Sequence, residues 1–152
     1  MSGRFGIRRA TPADADAVSA VLLEAGLDAW ASFLGAERID TANRGVEHPA
    51  DLVAVDDEGV FAFVAWDAAT GEITRLYTHP RGQRRGAARE LLARAEDALR
   101  AAGRAEAWLN TEERNRGARR FYESQGWVED GPPRIRDWHG ARLVEPRYVK
   151  RL

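Results

Sequence analysis

The spacing of apolar residues predicts four amphipathic helices. The clearest spans Gly86 to Ala102, where apolar residues recur every three or four positions on one face: Ala88, Leu91, Leu92, Ala95, Leu99 and Ala102. Gly103 then ends the helix. A second pattern runs from Asn115 to Gln125 and is closed by Gly126. Near the N-terminus, Val18, Val21, Leu22 and Ala25 predict a helix that ends at Gly26, and another helix begins at about Leu27.

Short apolar runs between these helices predict the strands. They cover residues 5–9, 52–55, 60–66, 72–78, 105–109, 127–129 and 142–150. Asp56-Asp57-Glu58-Gly59 is typical of a hairpin turn between the second strand and the third. The resulting order is β-α-α-β-β-β-α-β-α-β-β, which predicts an α/β sheet covered by helices. At 152 residues, we expect one domain over residues 1–152.

Composition removes several classes of chemistry. The chain has no cysteine, so it has no thiol nucleophile and no cysteine-ligated metal. Lys150 is the only lysine, which leaves none for a Walker A loop or an internal Schiff base. The three histidines, His48, His79 and His139, are too far apart for an HExxH-type metal site. We therefore expect no metal.

The sequence shows no membrane or secretion signal. No run approaches the roughly 20 apolar residues that span a bilayer, and the N-terminus lacks an apolar segment after its charges. A cytoplasmic location is the expectation. The net charge of −1 conceals an acidic stretch, residues 10–72, and a basic one, residues 73–152. A basic half suits an anionic cofactor and an acidic half suits a cationic acceptor, unless these segments form no separate faces.

The turn from Gln83 to Ala88 carries the strongest functional signal. It follows a strand and Pro80, and it opens the predicted helix at Gly86. A helix N-terminus offers unpaired N–H groups and about half a positive charge, which suits phosphate oxygens. The small residues Gly86 and Ala88 allow a pyrophosphate to approach closely. The alternative is a capped surface helix with solvated arginines.

Two segments together resemble the GCN5-related N-acetyltransferase (GNAT) family. The first is Gln83-x-x-Gly86-x-Ala88 after Pro80, and the second contains Asn115, Ala118, Phe121, Tyr122, Gly126 and Trp127. The element order is similar to that family over nearly the whole chain. The resemblance implies the GNAT fold, with a mixed, mostly antiparallel central sheet flanked by helices. It also implies transfer of an acetyl group from acetyl-CoA to a primary amine.

The resemblance assigns the cofactor-binding residues. Main-chain groups of Leu76, Tyr77 and Thr78 would hold the pantetheine arm, and one N–H would polarise the thioester carbonyl. The remaining cofactor-binding positions that it implies are Gln83, Arg84, Arg85, Gly86, Ala87, Ala88, Arg89, Asn115 and Ala118. Arg84 departs from the family, which usually has glycine there, and a β-carbon narrows the allowed backbone.

Two residues are candidates for catalysis. Tyr122 matches the family's general acid, which serves the departing thiolate of coenzyme A; its alternative is a core tyrosine. A phenol has a pKa of about 10 and a thiol about 8.5, so full proton transfer is uphill by roughly 2 kcal/mol. Tyr122 is then a hydrogen-bond donor to sulfur. Glu72 is the candidate base, directly or through water, and its alternative is a turn residue after Gly71.

The acceptor amine is not specified by the sequence. Family members select it with the first helices and the last hairpin, where Trp30 and Phe33 are the main candidates and His48, Trp66 and Trp138 are weaker ones. The partners are acetyl-CoA and an amine, small or protein-borne, with no nucleic acid and no membrane. A homodimer is the commoner assembly. The alternative function is an acyl-CoA-binding regulatory module without turnover.

Overall fold

The apolar runs form a seven-stranded sheet in the computed structural model, which describes residues 4–152. The strands are β1 (Gly6–Arg9), β2 (Leu52–Asp56), β3 (Gly59–Asp67), β4 (Glu72–Thr78), β5 (Glu106–Asn110), β6 (Val128–Glu129), β7 (Arg134–Trp138), β8 (Ala141–Glu145) and β9 (Arg147–Arg151). The sheet order is β1-β2-β3-β4-β5-β9-β6, and β7 and β8 form a separate hairpin. The helices are α1 (Ala15–Leu34), α2 (Ala36–Asn43), α3 (Ala87–Ala101) and α4 (Arg116–Ser124).

The sheet separates two layers of helix. On one face, α3 contributes Leu91, Leu92 and Leu99 to the main core, together with Ile73 of β4 and Tyr148 of β9. On the other face, Val18, Val21 and Leu22 of α1 pack against Val53 and Phe63. Every strand pair in the sheet is antiparallel except β4 with β5. The predicted fold class, a mixed and mostly antiparallel sheet flanked by helices, is therefore confirmed.

Strands β4 and β5 separate soon after they meet. They pair in parallel with Glu72 opposite Trp108, and the Trp108 N–H donates to the Gly71 carbonyl at 3.1 Å. Beyond that point β4 continues along β3, while β5 follows β9 from Glu106 to Asn110. The two strands diverge, and the space between them is called the crevice below.

Gly26 does not end the first helix, which corrects the prediction from sequence. The α1 helix continues through Gly26 to Leu34, and Gly35, with φ of 84°, breaks the chain before α2. Gly26 instead permits close packing of the two helices. A Cβ atom there would lie 3.3 Å from the Ile39 side chain of α2. A small residue at a helix contact is hard to distinguish from a helix end when only the sequence is read.

The β7–β8 hairpin was also missed, because its first strand has no apolar alternation. Residues of β7 are exposed apart from Trp138. The connecting turn uses His139 and Gly140, both with positive φ (48° and 83°), a backbone geometry that matches strand twist in tight hairpins. Asn-Gly would have predicted such a turn, whereas His-Gly is a weak signal. The chain therefore has four strands after α4 rather than two.

One helical stretch, Pro12–Leu34, is long and apolar enough to cross a membrane by length and composition alone. This corrects the expectation that no such run exists. The helices of soluble cores meet the same criterion, and in this fold the apolar residues Val18, Val21 and Leu22 pack against the sheet. The stretch is therefore weak evidence for a membrane span.

Gly82 offers a test of how tightly the segment before α3 packs against the sheet. A Cβ atom at this position would lie 2.1 Å from the Phe61 ring. We expect Gly82→Ala to lower the free energy of unfolding by about 1–3 kcal/mol, the usual cost of overpacking. The measurement is denaturant unfolding. Gly117→Ala is the control, because a Cβ in that α4 position meets nothing within 4 Å; it should be neutral or stabilising. Equal stability of the two variants would contradict the packing seen here.

Candidate functional site

The crevice is part of a cavity of about 740 Å³. Its walls come from α1, β4, β5, α4 and the β7–β8 hairpin. The residues predicted from sequence that line it are Trp30, His48, Glu72, Leu76, Tyr77, Thr78, Gln83, Ala88, Asn115, Ala118, Tyr122 and Trp138. The cavity has the size of a typical small-molecule site.

Strand β4 presents main-chain groups to the crevice. The His79 N–H donates to the Phe61 carbonyl of β3 at 2.7 Å, and Tyr77 is paired with Phe63. Hydrogen bonding alternates along an antiparallel strand. The N–H and C=O groups of Leu76 and Thr78 therefore face away from β3, toward the crevice, whereas those of Tyr77 face β3.

The turn at the end of the crevice leads into an uncapped helix. Gly86 has φ of 82° and precedes α3, and no side chain caps this N-terminus. The first helical N–H groups therefore remain available to a ligand. Gln83 and Ala88 line the cavity, and the Gln83 side-chain amide also donates to Asp28 of α1 at 3.0 Å.

Two arginines of this segment bind the β2–β3 turn and so fix the position of the turn before α3. Arg81 and Arg85 both bind the Asp56 carboxylate, at 2.9 and 2.7 Å. Their guanidinium groups lie over the Phe61 ring, at 5.5 and 4.4 Å from its centroid. Hydrogen bonds from Arg81, then Arg85, hold the pKa of Asp56 well below its usual range. Arg85, a candidate for cofactor binding, is thus engaged with the β2–β3 turn and does not line the cavity.

The other candidate residues of the turn are either exposed or buried in the core. Arg84, Gly86, Ala87 and Arg89 are not among the cavity-lining residues. Ala87 is buried in the core, while Arg84 and Arg89 are exposed. Exposed side-chain charge and N–H groups at the helix end both lie where a phosphate would approach from solvent.

Tyr122 lines the cavity from α4. It is only 8% exposed, and its ring contacts Phe121, Trp127 and Tyr148, with centroids 5.4, 6.0 and 6.3 Å away. Its hydroxyl forms no hydrogen bond with any residue in 4–152. Burial, with a smaller effect of Tyr77, raises the pKa of the phenol above its ordinary value. The phenol therefore keeps its proton and can donate it in a hydrogen bond.

Asn115, a candidate for cofactor binding, is the N-cap of α4 and also lines the cavity. Its side-chain oxygen accepts from the Ala118 N–H at 3.2 Å, and Ala118 also lines the cavity. The segment before it is tied to the β7–β8 hairpin through Glu112, which accepts from the Val144 N–H at 2.9 Å. Burial raises the pKa of Glu112, but hydrogen bonds from Arg114 and the main chain outweigh it, so the net pKa is lowered.

A bulge in β4 decides where Glu72 points. Arg75 is opposite Ala65 and Ile73 is opposite Trp66, so Thr74 is an extra residue. Ile73 and Leu76 consequently pack on the α3 face of the sheet. Glu72, next to Ile73, therefore points to the opposite face, where it lines the cavity. Burial raises the pKa of Glu72, against the opposing charge of Arg134.

Comparison with known proteins identifies the family. The model of the acetyltransferase (GNAT) family matches residues 21–127. The chain belongs to the GNAT family. A mycothiol acetyltransferase from Beutenbergia cavernae is 44% identical over 86 residues, a match that covers 53% of this chain and 29% of that protein. This chain thus spans less than a third of that relative's length.

Solved structures agree with the GNAT fold. A GCN5-related N-acetyltransferase from Rhodopseudomonas palustris superimposes with a TM-score of 0.79 at 20% identity, covering 97% of this chain and 95% of the other. The PaiA N-acetyltransferase from Thermoplasma acidophilum, solved with coenzyme A, gives 0.73 at 18% identity and covers 98% and 99%. Identities this low establish the fold alone.

The other end of this GNAT cavity contains residues that sequence reasoning missed. Arg75 of β4, Arg134 and Arg136 of β7, and Glu145 of β8 all line it. The Glu145 carboxylate binds Arg134 at 3.1 Å and Arg136 at 2.6 Å. Arg75 could have been found from the sequence, because a charged residue within an apolar strand is unusual. The β7 arginines carried no signal, because their hairpin was not predicted.

The aromatic candidates divide into two groups. Trp30 lines the cavity and packs edge-on against Tyr77, with ring centroids 5.9 Å apart. Phe33 does not line it, because its ring is covered by the Arg114 guanidinium at 4.4 Å. Trp66 is also outside the lining.

Within residues 4–152 no group of three or more histidine or acidic side chains is arranged to hold a metal ion.

Arg84 provides a test of the turn's backbone. Its φ of 64° is left-handed, which costs a non-glycine residue roughly 1–2 kcal/mol. Glycine removes the strain from the folded state, but it also increases the conformational entropy of the unfolded chain. The strain is the larger effect, so we expect Arg84→Gly to raise the free energy of unfolding by up to about 1 kcal/mol. The matched control is Arg89→Gly in the first turn of α3, which should lower it. Urea titrations measure both, and destabilisation by Arg84→Gly would contradict the strain.

Proposed function

We propose that this protein is an N-acetyltransferase that moves the acetyl group of acetyl-CoA to a primary amine by direct attack in a ternary complex. The observation that carries the proposal is the crevice between β4 and β5, a cavity lined by Glu72, Tyr122 and the outward-facing main chain of Leu76 and Thr78. Membership of the GNAT family supports the general reaction.

The residues present fit acetyl-CoA. Unpaired main-chain groups of Leu76 and Thr78 can hold the amide groups of a pantetheine arm as an added strand would. The uncapped N-terminus of α3, at Gly86, suits a pyrophosphate. A main-chain N–H of β4 aimed at the thioester carbonyl would stabilise negative charge on its oxygen.

The chain's own residues then perform two proton-related tasks. Acetyl-CoA supplies the activated acetyl group as a thioester. Glu72 accepts a proton from the acceptor ammonium, directly or through a water, since an amine with a pKa near 10 is mostly protonated at neutral pH. As the C–N bond forms and the C–S bond breaks, Tyr122 donates a hydrogen bond to the sulfur that takes up negative charge, and coenzyme A leaves as the thiol with the second proton that the attacking nitrogen loses. No cysteine exists to carry the acetyl group, so we propose that it passes to the amine in one transfer.

The proposal is tested by measuring release of the coenzyme A thiol with a broad amine panel. Turnover with at least one primary amine is the expected result. Calorimetric binding of acetyl-CoA without thiol release from any amine would instead favour an acyl-CoA-binding regulatory module.

Tyr122→Phe should separate binding from chemistry. The ring contacts with Trp127 and Tyr148 are kept, so folding and acetyl-CoA affinity should change little. Loss of one donor to developing charge lowers turnover by about 10²–10³-fold. Because the pKa of the phenol is raised, both proteins should show the same pH profile up to about pH 10. Steady-state kinetics across pH measure this, and an alkaline limb lost only in the variant would mean that Tyr122 ionises.

Glu72→Gln tests the base. Near pH 7 we expect a loss of about 10²–10⁴-fold in kcat/KM, the usual contribution of a general base. The defect should shrink toward pH 10, because the acceptor amine then loses its proton without help. In the unaltered enzyme, activity should rise with pH through the raised pKa of Glu72. Glu90→Gln, on the exposed side of α3, is the control. A defect of constant size at all pH values would show that Glu72 is not the base.

A further inference from the structure

Two opposite charges lie on one face of β4 without a direct partner. Glu72 and Arg75 both line the cavity, yet neither side chain forms an ion pair or hydrogen bond with any residue in 4–152, including each other. Most other charges around the cavity are paired: Glu145 with Arg134 and Arg136, and Glu112 with Arg114. Both side chains are half-buried and lose part of their hydration, so this pair fits a ligand with charges of both signs.

The bulge at Thr74 brings these two side chains together. Ile73 and Leu76 face α3, so the neighbouring residues Glu72 and Arg75 both face α1. Tyr77 lies on that same face, where its ring meets Trp30. In a regular strand Glu72 and Arg75, three positions apart, would point to opposite faces of the sheet.

The surroundings of Arg75 favour an anion. Arg75 acts electrostatically on His48, Glu72 and Tyr77. Burial, then the charge of Arg75, lowers the pKa of His48. A neutral imidazole carries an N–H, and both ring nitrogens of His48 are buried without a hydrogen-bond partner among residues 4–152, as is the indole N–H of Trp30. These nitrogens are covered by the protein, so it is Arg75, without an ion-pair partner among residues 4–152, that favours an anion here.

Arg75 is poorly placed for the phosphates of the donor. Those groups fit the N-terminus of α3, beyond the end of β4. Arg75 is three residues back from Thr78 along the strand, about 10 Å at the usual rise per residue. Its side chain also shares the α1 face with Glu72, the proposed base. Arg75 therefore belongs to the part of the cavity that receives the acceptor.

We propose that the acceptor is an amine that also carries a carboxylate, of the amino acid type, with its carboxylate on Arg75 and its amine at Glu72. This inference rests on the proposed function and narrows its acceptor class. Polyamines and aminoglycosides are disfavoured, since an additional positive charge close to the reacting amine would meet Arg75, which has no ion-pair partner among residues 4–152.

The test compares acids with their carboxamides. Glycine, β-alanine and γ-aminobutyrate, each paired with its amide, are assayed by coenzyme A thiol release in the unaltered protein, Arg75→Gln and Arg75→Lys. We expect the preferred acid to have kcat/KM about 10- to 100-fold above its amide, the value of a charge-assisted hydrogen bond. Arg75→Gln should abolish that preference, with the KM of the acid rising more than the KM of its amide, and Arg75→Lys should restore part of the preference. Arg94→Gln on α3 should behave as the unaltered protein.

The outcomes separate this inference from the proposed function. Turnover of amines with no preference for the acid, or equal losses for acid and amide in Arg75→Gln, would overturn the acceptor class and leave the acetyltransferase intact. If no amine releases thiol, the proposed function fails. Calorimetry then decides the inference: N-acetylglycine should bind the protein with coenzyme A more tightly than N-acetylglycinamide, and only when Arg75 is present. Equal binding would overturn it.

Discussion

The separation of β4 from β5 is the constraint on which the rest of the site depends. Strand β4 stays with β3 and β5 stays with β9, so their parallel pairing does not continue beyond the contact of Glu72 with Trp108. Interior main-chain groups need hydrogen-bond partners, and divergence deprives the outer edge of β4 of them. The edge thus becomes an unpaired strand edge inside the sheet, and the bulge at Thr74 turns Glu72 and Arg75 to the same face.

A second constraint fixes where the turn before α3 lies. Asp56 holds Arg81 and Arg85 from the β2–β3 turn, and Phe61 packs under both guanidinium groups. Gly82 lets this segment approach the Phe61 ring. These contacts use the charges of Arg81 and Arg85 to position the turn, while the N-terminus of α3 at Gly86 has no side-chain cap. An arginine in a sequence motif can therefore serve to hold the backbone of the motif in place.

Elements with a local sequence pattern were predicted correctly. The prediction was wrong or incomplete where long-range packing or charge determines the structure. The apolar stripe of α3 and the segment around Tyr122 have regular spacing, so their structure followed from pattern. Gly26 was misread because close contact with Ile39, not chain termination, requires glycine there. Strand β7 has no apolar alternation, so neither the β7–β8 hairpin nor its cavity arginines could be found from the sequence. The orientation of Glu72 depends on an extra residue in β4, which only the register reveals.

Strand β4 presents two kinds of group to the cavity: main-chain groups at its edge and side chains on its α1 face. Main-chain groups of β4, which carry no side-chain specificity, suit a donor common to the whole GNAT family. Side chains on the α1 face, Glu72 and Arg75 among them, present charge to the cavity. Tyr122 lies where these regions meet, and burial keeps its phenol protonated. A buried phenol with a raised pKa remains a hydrogen-bond donor, so this part of the cavity wall keeps the same chemistry whichever side chains line the α1 face.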